Sequence, residues 1–233
     1  MQNILSVQSL TKKFDDFTAV KDISFNVETG SIFAFLGPNG AGKSTTIKML
    51  TTVLKPTSGE ISINGFNALK EQDRARASFG IVFQDPSLDE ELTAYENIAY
   101  HAVIYKVPKT ERVERIRKAL EIVGLWNRRE DYVKKYSGGM KRRLEIARGL
   151  MTRPKLLFMD EPTIGLDPQT RIRIWDYVRD INRQGTTIFL TTHYMDEADH
   201  LRHYIRIVEH GQVLATHKPW DVENALGQER KDV

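Results

Sequence analysis

One glycine-rich stretch limits the fold of this chain more than any other feature of its sequence. Residues 37–45 read GPNGAGKST and match the template GxxxxGK[ST] of a phosphate-binding loop. The template is informative when a buried strand precedes it and a helix follows it. The preceding SIFAFL is continuously apolar, as strands covered on both faces are, and the following TTIKML is predicted to be helical. The stretch therefore predicts an α/β domain that holds a phosphorylated ligand at a helix start.

Each residue type in this loop has a physical role. Glycines let the backbone curl with its N–H groups inward, because a Cβ would obstruct the φ values and the close approach of phosphate. Lys43 is long enough to reach the β and γ phosphates, and the Ser44 hydroxyl is a ligand for Mg²⁺. The predicted nucleotide-binding residues of the loop are Gly37, Pro38, Asn39, Gly40, Ala41, Gly42, Lys43, Ser44 and Thr45.

A second apolar run, LLFMD at 156–160, ends in two acidic residues. A strand that ends at Asp160 would bring a carboxylate to the edge of the sheet beside the phosphate loop, where it would hold Mg²⁺. Adjacent strand residues point to opposite sides, so Glu161 is predicted to be free to polarise a water for attack on the γ phosphate. Loop and acids together indicate a P-loop ATPase.

The remaining patterns predict one α/β domain over residues 1–233. ILSVQSL, ISFNV and GEISING alternate apolar and polar residues, which predicts an N-terminal antiparallel β layer, and TTIFLTT adds a third buried parallel strand. YIRIVEHGQVLA predicts a hairpin that turns at His210 and Gly211. We expect an ATPase core with a mostly parallel sheet at 1–84 and 155–233, and an inserted helical subdomain at about 85–154.

Within that helical subdomain, TERVERIRKALEIVG at 110–124 has the periodicity of an amphipathic helix. Its predicted apolar face consists of Val113, Ile116, Leu120 and Val123, and Gly124 is its predicted C-terminal cap.

Composition excludes several classes of function. The chain has no cysteine, so it has neither disulfides nor thiolate metal sites. It has no apolar run long enough to span a membrane, and its first thirty residues lack the order of a secretory signal, so we expect it in the cytoplasm. A net charge of +3 is too small to indicate a nucleic-acid partner. The densest basic cluster is predicted to be a solvated helix face: Lys141, Arg142, Arg143, Arg148 and Arg153.

The stretch YSGGMKRRLEIARGL at 136–150 predicts a second anion site. Ser137 is a good N-cap for the helix that follows, and Gly138 and Gly139 leave its first amide groups accessible. One nucleotide needs only one phosphate loop, so a second anion site in the same chain requires an explanation.

Taken with GPNGAGKST and DEPT, this stretch resembles the signature, usually LSGGQ, of the nucleotide-binding subunits of ATP-binding cassette (ABC) transporters. The resemblance covers nearly the whole chain. It implies that two subunits pack head to tail in an ATP-dependent dimer, which we expect to be a homodimer. Ser137, Gly138 and Gly139 of one subunit would then close over the ATP held by the other.

The resemblance implies four further roles. Phe14 matches the aromatic residue that stacks on adenine, and Gln84 matches the glutamine that touches Mg²⁺ and the attacking water. Asp167, an expected N-cap followed by Pro168, matches the loop that crosses the dimer interface. His193 matches the histidine that contacts the γ phosphate. The other histidines match nothing and are predicted to be surface residues: His101, His200, His203, His210 and His217.

The motif sequences are similar to those of one branch of this family, whose members serve drug and polysaccharide exporters with a separate membrane subunit. Tyr136 and Met140 depart from the usual leucine and glutamine of the signature, so any contact of that glutamine with ribose is absent. The resemblance implies a separate transmembrane permease and a position on the inner face of the cell membrane. We expect the permease to dock near Gln84, where residues 86–100 are predicted to expose Leu88, Leu92 and Tyr95.

Two alternatives belong to other classes. Soluble ATPases of the same cassette type act on ribosomes or DNA, but the chain lacks a second phosphate loop, zinc-binding cysteines and a long heptad run. A module that binds ATP without cleaving it is disfavoured because Glu161 and His193 are both present.

Overall fold

The computed structural model describes residues 2–85, 87–201, 204–209 and 211–217. The strands are β1 (Asn3–Phe14), β2 (Phe17–Glu28), β3 (Ile32–Leu36), β4 (Ser58–Ile63), β5 (Phe66–Asn67), β6 (Phe79–Val82), β7 (Leu156–Asp160), β8 (Thr187–Thr192), β9 (Tyr204–Glu209) and β10 (Gln212–His217). The α-helices are α1 (Lys43–Leu50), α2 (Gln72–Arg76), α3 (Ala94–Ile104), α4 (Lys109–Ile122), α5 (Gly138–Leu150), α6 (Pro168–Arg183) and α7 (Met195–Leu201). Short 3-10 turns form at Trp126–Arg128 and Val133–Lys135.

The larger sheet has the strand order β10-β9-β3-β8-β7-β6. Its neighbours from β9 to β6 pair in parallel, and β10 pairs antiparallel with β9. Every residue of β3, β7 and β8 is buried, which is why these strands read as continuous apolar runs. The predicted P-loop core with a mostly parallel sheet is confirmed, and the C-terminal hairpin of β9 and β10 forms as expected.

A second sheet of order β2-β1-β4-β5 is antiparallel and covers one face of the larger sheet. Its strands alternate buried and exposed residues, as their sequence predicts. Between the two layers, the rings of Phe25, Phe33 and Phe189 stack with centroids 5.3 to 6.0 Å apart. This aromatic contact fixes the distance between the two sheets.

Helices α3, α4 and α5 lie between β6 and β7 in the chain and pack into the core on the opposite face of the parallel sheet. Helix α4 buries Ile116 and Leu120 and is followed by Gly124 with φ +65°, as predicted. Val113 is 64% exposed, so the prediction that it faces the core was wrong. It lies nearly one turn before Ile116, where α4 extends beyond the buried cluster.

Two other predictions about exposure were also wrong. Leu88 and Tyr95 pack against the core instead of facing solvent, and Leu92 is partly buried. The basic cluster on α5 is not a solvated face, since Arg142 and Arg148 are each only 8% exposed. Backbone carbonyl groups and the buried carboxylate of Glu145 surround these two guanidinium groups.

His101 and His200 are partly buried, so their assignment to the surface was wrong. The His200 ring lies 4.7 Å from that of Trp175. His101 Nε2 is 3.4 Å from an Arg148 nitrogen, and its enclosed Nδ1 has no hydrogen-bond partner within the described part of the chain. Burial, and then the charge of Arg148, lowers the pKa of His101 to about 4. His203 and His210 lie outside the described residues, as does the side chain of His217.

A group of exposed apolar residues in the helical layer lies instead at the C-terminal end of α3: Tyr100, Val103, Ile104 and Tyr105. Among the described residues, no helix combines the length and the apolar character that crossing a bilayer requires.

The lowered pKa of His101 predicts that the free energy of unfolding decreases as the pH falls below neutrality. Between pH 6.5 and about 4 the unfolded chain binds a proton on this histidine and the folded chain does not, so folding loses stability as pH falls. The melting temperature of the wild type should therefore fall between pH 7 and pH 5 by about 4 to 7 °C more than that of His101→Gln. Differential scanning fluorimetry at both pH values measures this difference. Equal losses in the two proteins would contradict a depressed pKa at His101.

Candidate functional site

Several of the predicted site residues meet at the carboxyl edge of the parallel sheet. Loop 37–42 follows β3, Asp160 ends β7 with Glu161 directly after it, and His193 follows β8. These three strands are neighbours in the order β3-β8-β7. Ligands of open α/β sheets bind outside this edge because the loops that follow neighbouring parallel strands converge there.

Close backbone contacts explain two of the loop glycines. A Cβ on Gly37 would lie 2.1 Å from the Val208 carbonyl oxygen, and one on Gly42 would lie 2.5 Å from that of Ala19. Gly42 also has φ +94°, which L side chains rarely adopt. These two glycines are therefore required by neighbouring strands of the protein as well as by the phosphate cradle that the sequence predicted.

Lys43 begins α1 and is buried inside the loop. Its Nζ donates hydrogen bonds to the carbonyl oxygens of Gly37 at 2.7 Å and Pro38 at 3.0 Å. It also lies 3.1 Å from Glu161 Oε1, with both side chains only 5% exposed. The ammonium group is thus held at the centre of the phosphate loop and neutralised there by Glu161.

A group of oxygen ligands lies beside this ion pair. The Ser44 hydroxyl donates to Asp160 Oδ1 at 3.2 Å, and the Thr191 hydroxyl donates to the same oxygen at 2.6 Å. Hydroxyl and carboxylate oxygens are the hard ligands that Mg²⁺ requires, so Ser44 and Asp160 suit this ion. Thr191 was not among the predicted site residues. The available signal was that the buried run TTIFLTT ends in two threonines, at the carboxyl end of the strand where the site was expected.

Glu161 adopts a left-handed conformation with φ +47°. Its N–H donates to the carbonyl and hydroxyl oxygens of Thr191, at 3.2 and 3.0 Å, and its Oε2 is 2.8 Å from His193 Nδ1. Asp160 and Glu161 therefore contact the adjacent residues Ser44 and Lys43. The prediction that strand alternation directs the two carboxylates to opposite sides was wrong, because the chain leaves the strand at Asp160 and turns.

Ser137 and Asp167 are N-caps of two helices that touch each other. Ser137 Oγ accepts from the Met140 amide at 3.3 Å, and Asp167 Oδ1 accepts from the Thr170 amide at 3.0 Å. The side-chain and backbone hydrogen bonds of Thr170 lower the pKa of Asp167. A Cβ on Gly139 would lie 2.4 Å from Thr170 Cγ2, so a larger residue there would have to displace the Thr170 side chain where α5 meets α6.

The structure does not bring every predicted residue to the phosphate loop. Among the described residues, no hydrogen bond or ion pair joins Phe14, Gln84 or Ser137 to that loop. Phe14 is 44% exposed and carries the Lys12 ammonium 4.9 Å above its ring, and Gln84 is exposed.

Tyr136, which replaces the leucine of the signature, anchors the helical layer. It is 5% exposed, and its hydroxyl donates to the Arg128 carbonyl oxygen at 2.7 Å. Burial raises the pKa of Tyr136. Met140 packs against the same apolar core, so both departures from the usual signature contribute to packing.

Comparison with known proteins agrees with this geometry. The family model described as ABC transporter matches residues 20–164. The linearmycin resistance ATP-binding protein LnrL of Bacillus subtilis is 41% identical over 96% of this chain and 72% of that protein. The Nod factor export ATP-binding protein I of Burkholderia thailandensis is 40% identical over 96% and 74%, respectively. The cassette MJ0796, solved as a dimer in a post-hydrolysis state bound to ADP and Pi, has a TM-score of 0.81 and 28% identity, covering 92% of this chain and 98% of that one.

The hydrogen bond from Thr191 to Asp160 predicts a defect that depends on Mg²⁺. Thr191→Val keeps the buried shape but removes a bond to a carboxylate, an interaction worth about 1.5 to 3 kcal/mol. ATP hydrolysis measured during a MgCl₂ titration should fall about 10-fold at low Mg²⁺ and recover partly at high Mg²⁺. Thr191→Ser retains the hydroxyl and should behave like the wild type. Equal activity of the valine and serine variants at every Mg²⁺ concentration would show that this bond does not position Asp160.

Proposed function

The chain belongs to the ABC transporter family as an ATP-hydrolysing subunit, and we propose that it drives export through a separate transmembrane permease. The observation that carries the ATP-hydrolysing role is the convergence of Lys43, Asp160 and Glu161 at the carboxyl edge of the sheet. The relatives named for linearmycin resistance and for Nod factor export favour export over import.

We assign the chemistry as follows. The phosphate loop holds ATP, with Lys43 on the β and γ phosphates and Ser44 and Asp160 as ligands for Mg²⁺. Bound Mg²⁺ would neutralise charge on the phosphates during transfer. Glu161 orients and polarises the attacking water, and His193, 2.8 Å from Glu161, holds that carboxylate in place and contacts the γ phosphate. Gln84 completes the Mg²⁺ and water site from the loop after β6, and Phe14 stacks on adenine.

The signature residues are proposed to act on the ATP of a second copy of the chain. The amides of Gly138 and Gly139 donate no hydrogen bond within the part of the chain that the structure describes. The positive end of the α5 dipole lies at the same N-terminus, next to Ser137. Asp167 lies on the neighbouring helix start, so both predicted interface segments are on one surface. A twofold dimer would use this surface twice and complete two ATP sites.

Glu161→Gln tests the dimer. The variant keeps the shape of the site and the Mg²⁺ ligand Asp160 but removes the carboxylate that polarises water, which lowers hydrolysis by about 10² to 10⁴-fold. It should therefore accumulate as a dimer with ATP and remain a monomer with ADP, as measured by size-exclusion chromatography with light scattering.

Adding Ser137→Arg to this variant tests which chain the signature contacts. The arginine blocks the approach to the γ phosphate of the partner but leaves the phosphate loop of its own chain intact. The double variant should bind ATP with unchanged affinity and stay monomeric. If it dimerised with ATP, Ser137 would not contact the nucleotide of a partner.

A groove of about 200 Å³ offers a docking site for the permease. It lies along the edge strand β6 and is lined by Val53, Phe83 and Tyr105, among others, so it joins the ATPase core to the helical layer beside Gln84. Val53 and Tyr105 are 63% and 51% exposed, and the apolar end of α3 continues this surface. Exposed apolar residues grouped in this way are typical of protein interfaces. Docking there would hold the chain on the inner, cytoplasmic face of the cell membrane.

Charged residues in this groove should separate the two subunits without affecting ATP binding. Val53→Asp combined with Tyr105→Asp should abolish co-purification with a co-expressed permease, because the aspartates would have to lose water on docking. Val113→Asp is the matched control, since Val113 is 64% exposed on α4 and does not line the groove. ATP affinity should be equal in all three proteins. Co-purification of the double variant at the wild-type level would show that this groove is not part of the interface.

A further inference from the structure

Helix α5 carries three charged residues that its role as a signature helix does not explain. Arg142, Glu145 and Arg148 lie on one face and are 8%, 1% and 8% exposed. Charged side chains are rarely buried unless they are paired and hydrogen-bonded, because removing them from water costs several kcal/mol per ion. The partners of these three residues therefore indicate what the buried charges hold together.

Arg142 joins two segments that follow different strands. Its Nε donates to the Pro162 carbonyl oxygen at 2.8 Å, and its Nη2 donates to that of Asp160 at 2.9 Å, both just after β7 or at its end. Its Nη1 donates to the Phe83 carbonyl oxygen at 2.5 Å and lies 3.4 Å from Glu145 Oε2. One guanidinium thus ties α5 to the residues on either side of Glu161 and to the residue directly before Gln84.

Glu145 and Arg148 hold the chain on the other side of Gln84. The Ser87 amide donates to Glu145 Oε1 at 2.7 Å, and Arg148 Nη1 donates to the Ser87 carbonyl oxygen at 2.9 Å. A second Arg148 nitrogen donates to the Ser87 hydroxyl and lies 3.6 Å from Glu145. Phe83 and Ser87, which flank Gln84 in sequence, are therefore both fixed to the same helix.

We propose that Arg142, Glu145 and Arg148 form a positioning network that holds Gln84 at a fixed place relative to α5 and the end of β7. The inference rests on the proposed function, in which the N-terminus of α5 closes on the ATP of a partner chain. The buried charges on α5 keep their hydrogen-bond partners only while Phe83, Ser87 and the carbonyl groups on either side of Glu161 stay against the helix. The helix whose N-terminus is proposed to contact the ATP of a partner chain therefore also positions Gln84, beside the groove along β6.

Glu145→Gln tests the network through its effect on turnover. The amide retains the shape but weakens the pairing with both arginines and the hydrogen bond from the Ser87 amide. In the full-length chain, kcat should fall about 10-fold or more while the Kd for ATP stays within about twofold. Arg143→Gln is the matched control. Arg143 lies on the same helix and bonds the Val123 carbonyl oxygen and the Tyr177 hydroxyl, away from the Gln84 loop. Its loss should lower the melting temperature and leave kcat unchanged.

A double-mutant cycle with Gln84→Ala separates positioning from general stability. If the network acts through Gln84, then Glu145→Gln should have no further effect on kcat once Gln84→Ala is present. Multiplying effects on kcat would overturn the network while leaving the proposed role of Gln84 intact. If Gln84→Ala alone left kcat unchanged, the proposed role of Gln84 would fail, and the network with it.

Arg142→Lys can replace Glu145→Gln in the double-mutant cycle if Glu145→Gln does not fold. Lysine keeps the charge but cannot reach three carbonyl groups in the fixed geometry of a guanidinium. It should lower kcat, and its effect should be smaller in the Gln84→Ala background, where only the bonds of Arg142 beside Glu161 still count. Wild-type kcat in Arg142→Lys would overturn the proposal.

Discussion

The buried ammonium group of Lys43 is the interaction on which the site depends. It is enclosed with the Glu161 carboxylate 3.1 Å away and with two carbonyl oxygens of its own loop. A buried charge that loses its partner costs about 3 to 5 kcal/mol, so the loop, β7 and the turn at Glu161 are held to one geometry. A bound γ phosphate would compete with Glu161 for this ammonium group, which would release the carboxylate for its role toward water.

Asp160 and Glu161 make different contacts because the backbone turns after β7, and not because side chains alternate along a strand. The left-handed turn at Glu161 is stabilised by two hydrogen bonds from its amide to Thr191, the same residue whose hydroxyl donates to Asp160. One buried threonine on the neighbouring strand thus orients both the proposed metal ligand and the proposed base. Strain of this kind is often found at functional sites.

Helix α5 contacts each part of the molecule that the proposed ATP cycle involves. Its N-terminus is the proposed contact with a partner chain, its buried charges reach the ends of β6 and β7, and its apolar residues pack in the core of the helical layer. The Arg142 guanidinium donates to the carbonyl oxygens of Asp160 and Phe83, which are the residues directly before Glu161 and Gln84. The arrangement links the nucleotide site and the groove along β6 without any residue of the phosphate loop.

The sequence by itself determined the α/β class, the buried strands, the phosphate loop and the helix caps at Ser137 and Asp167. These features follow from local rules, namely continuous apolar runs, glycine spacing and the preference of serine and aspartate for N-caps. Tertiary structure alone decided that Arg142, Arg148 and His101 are buried, that Val113 is exposed, and that Thr191 bonds Asp160. In each case the deciding contacts come from residues distant in sequence, and periodicity within one helix or strand carries no information about which distant groups will surround it.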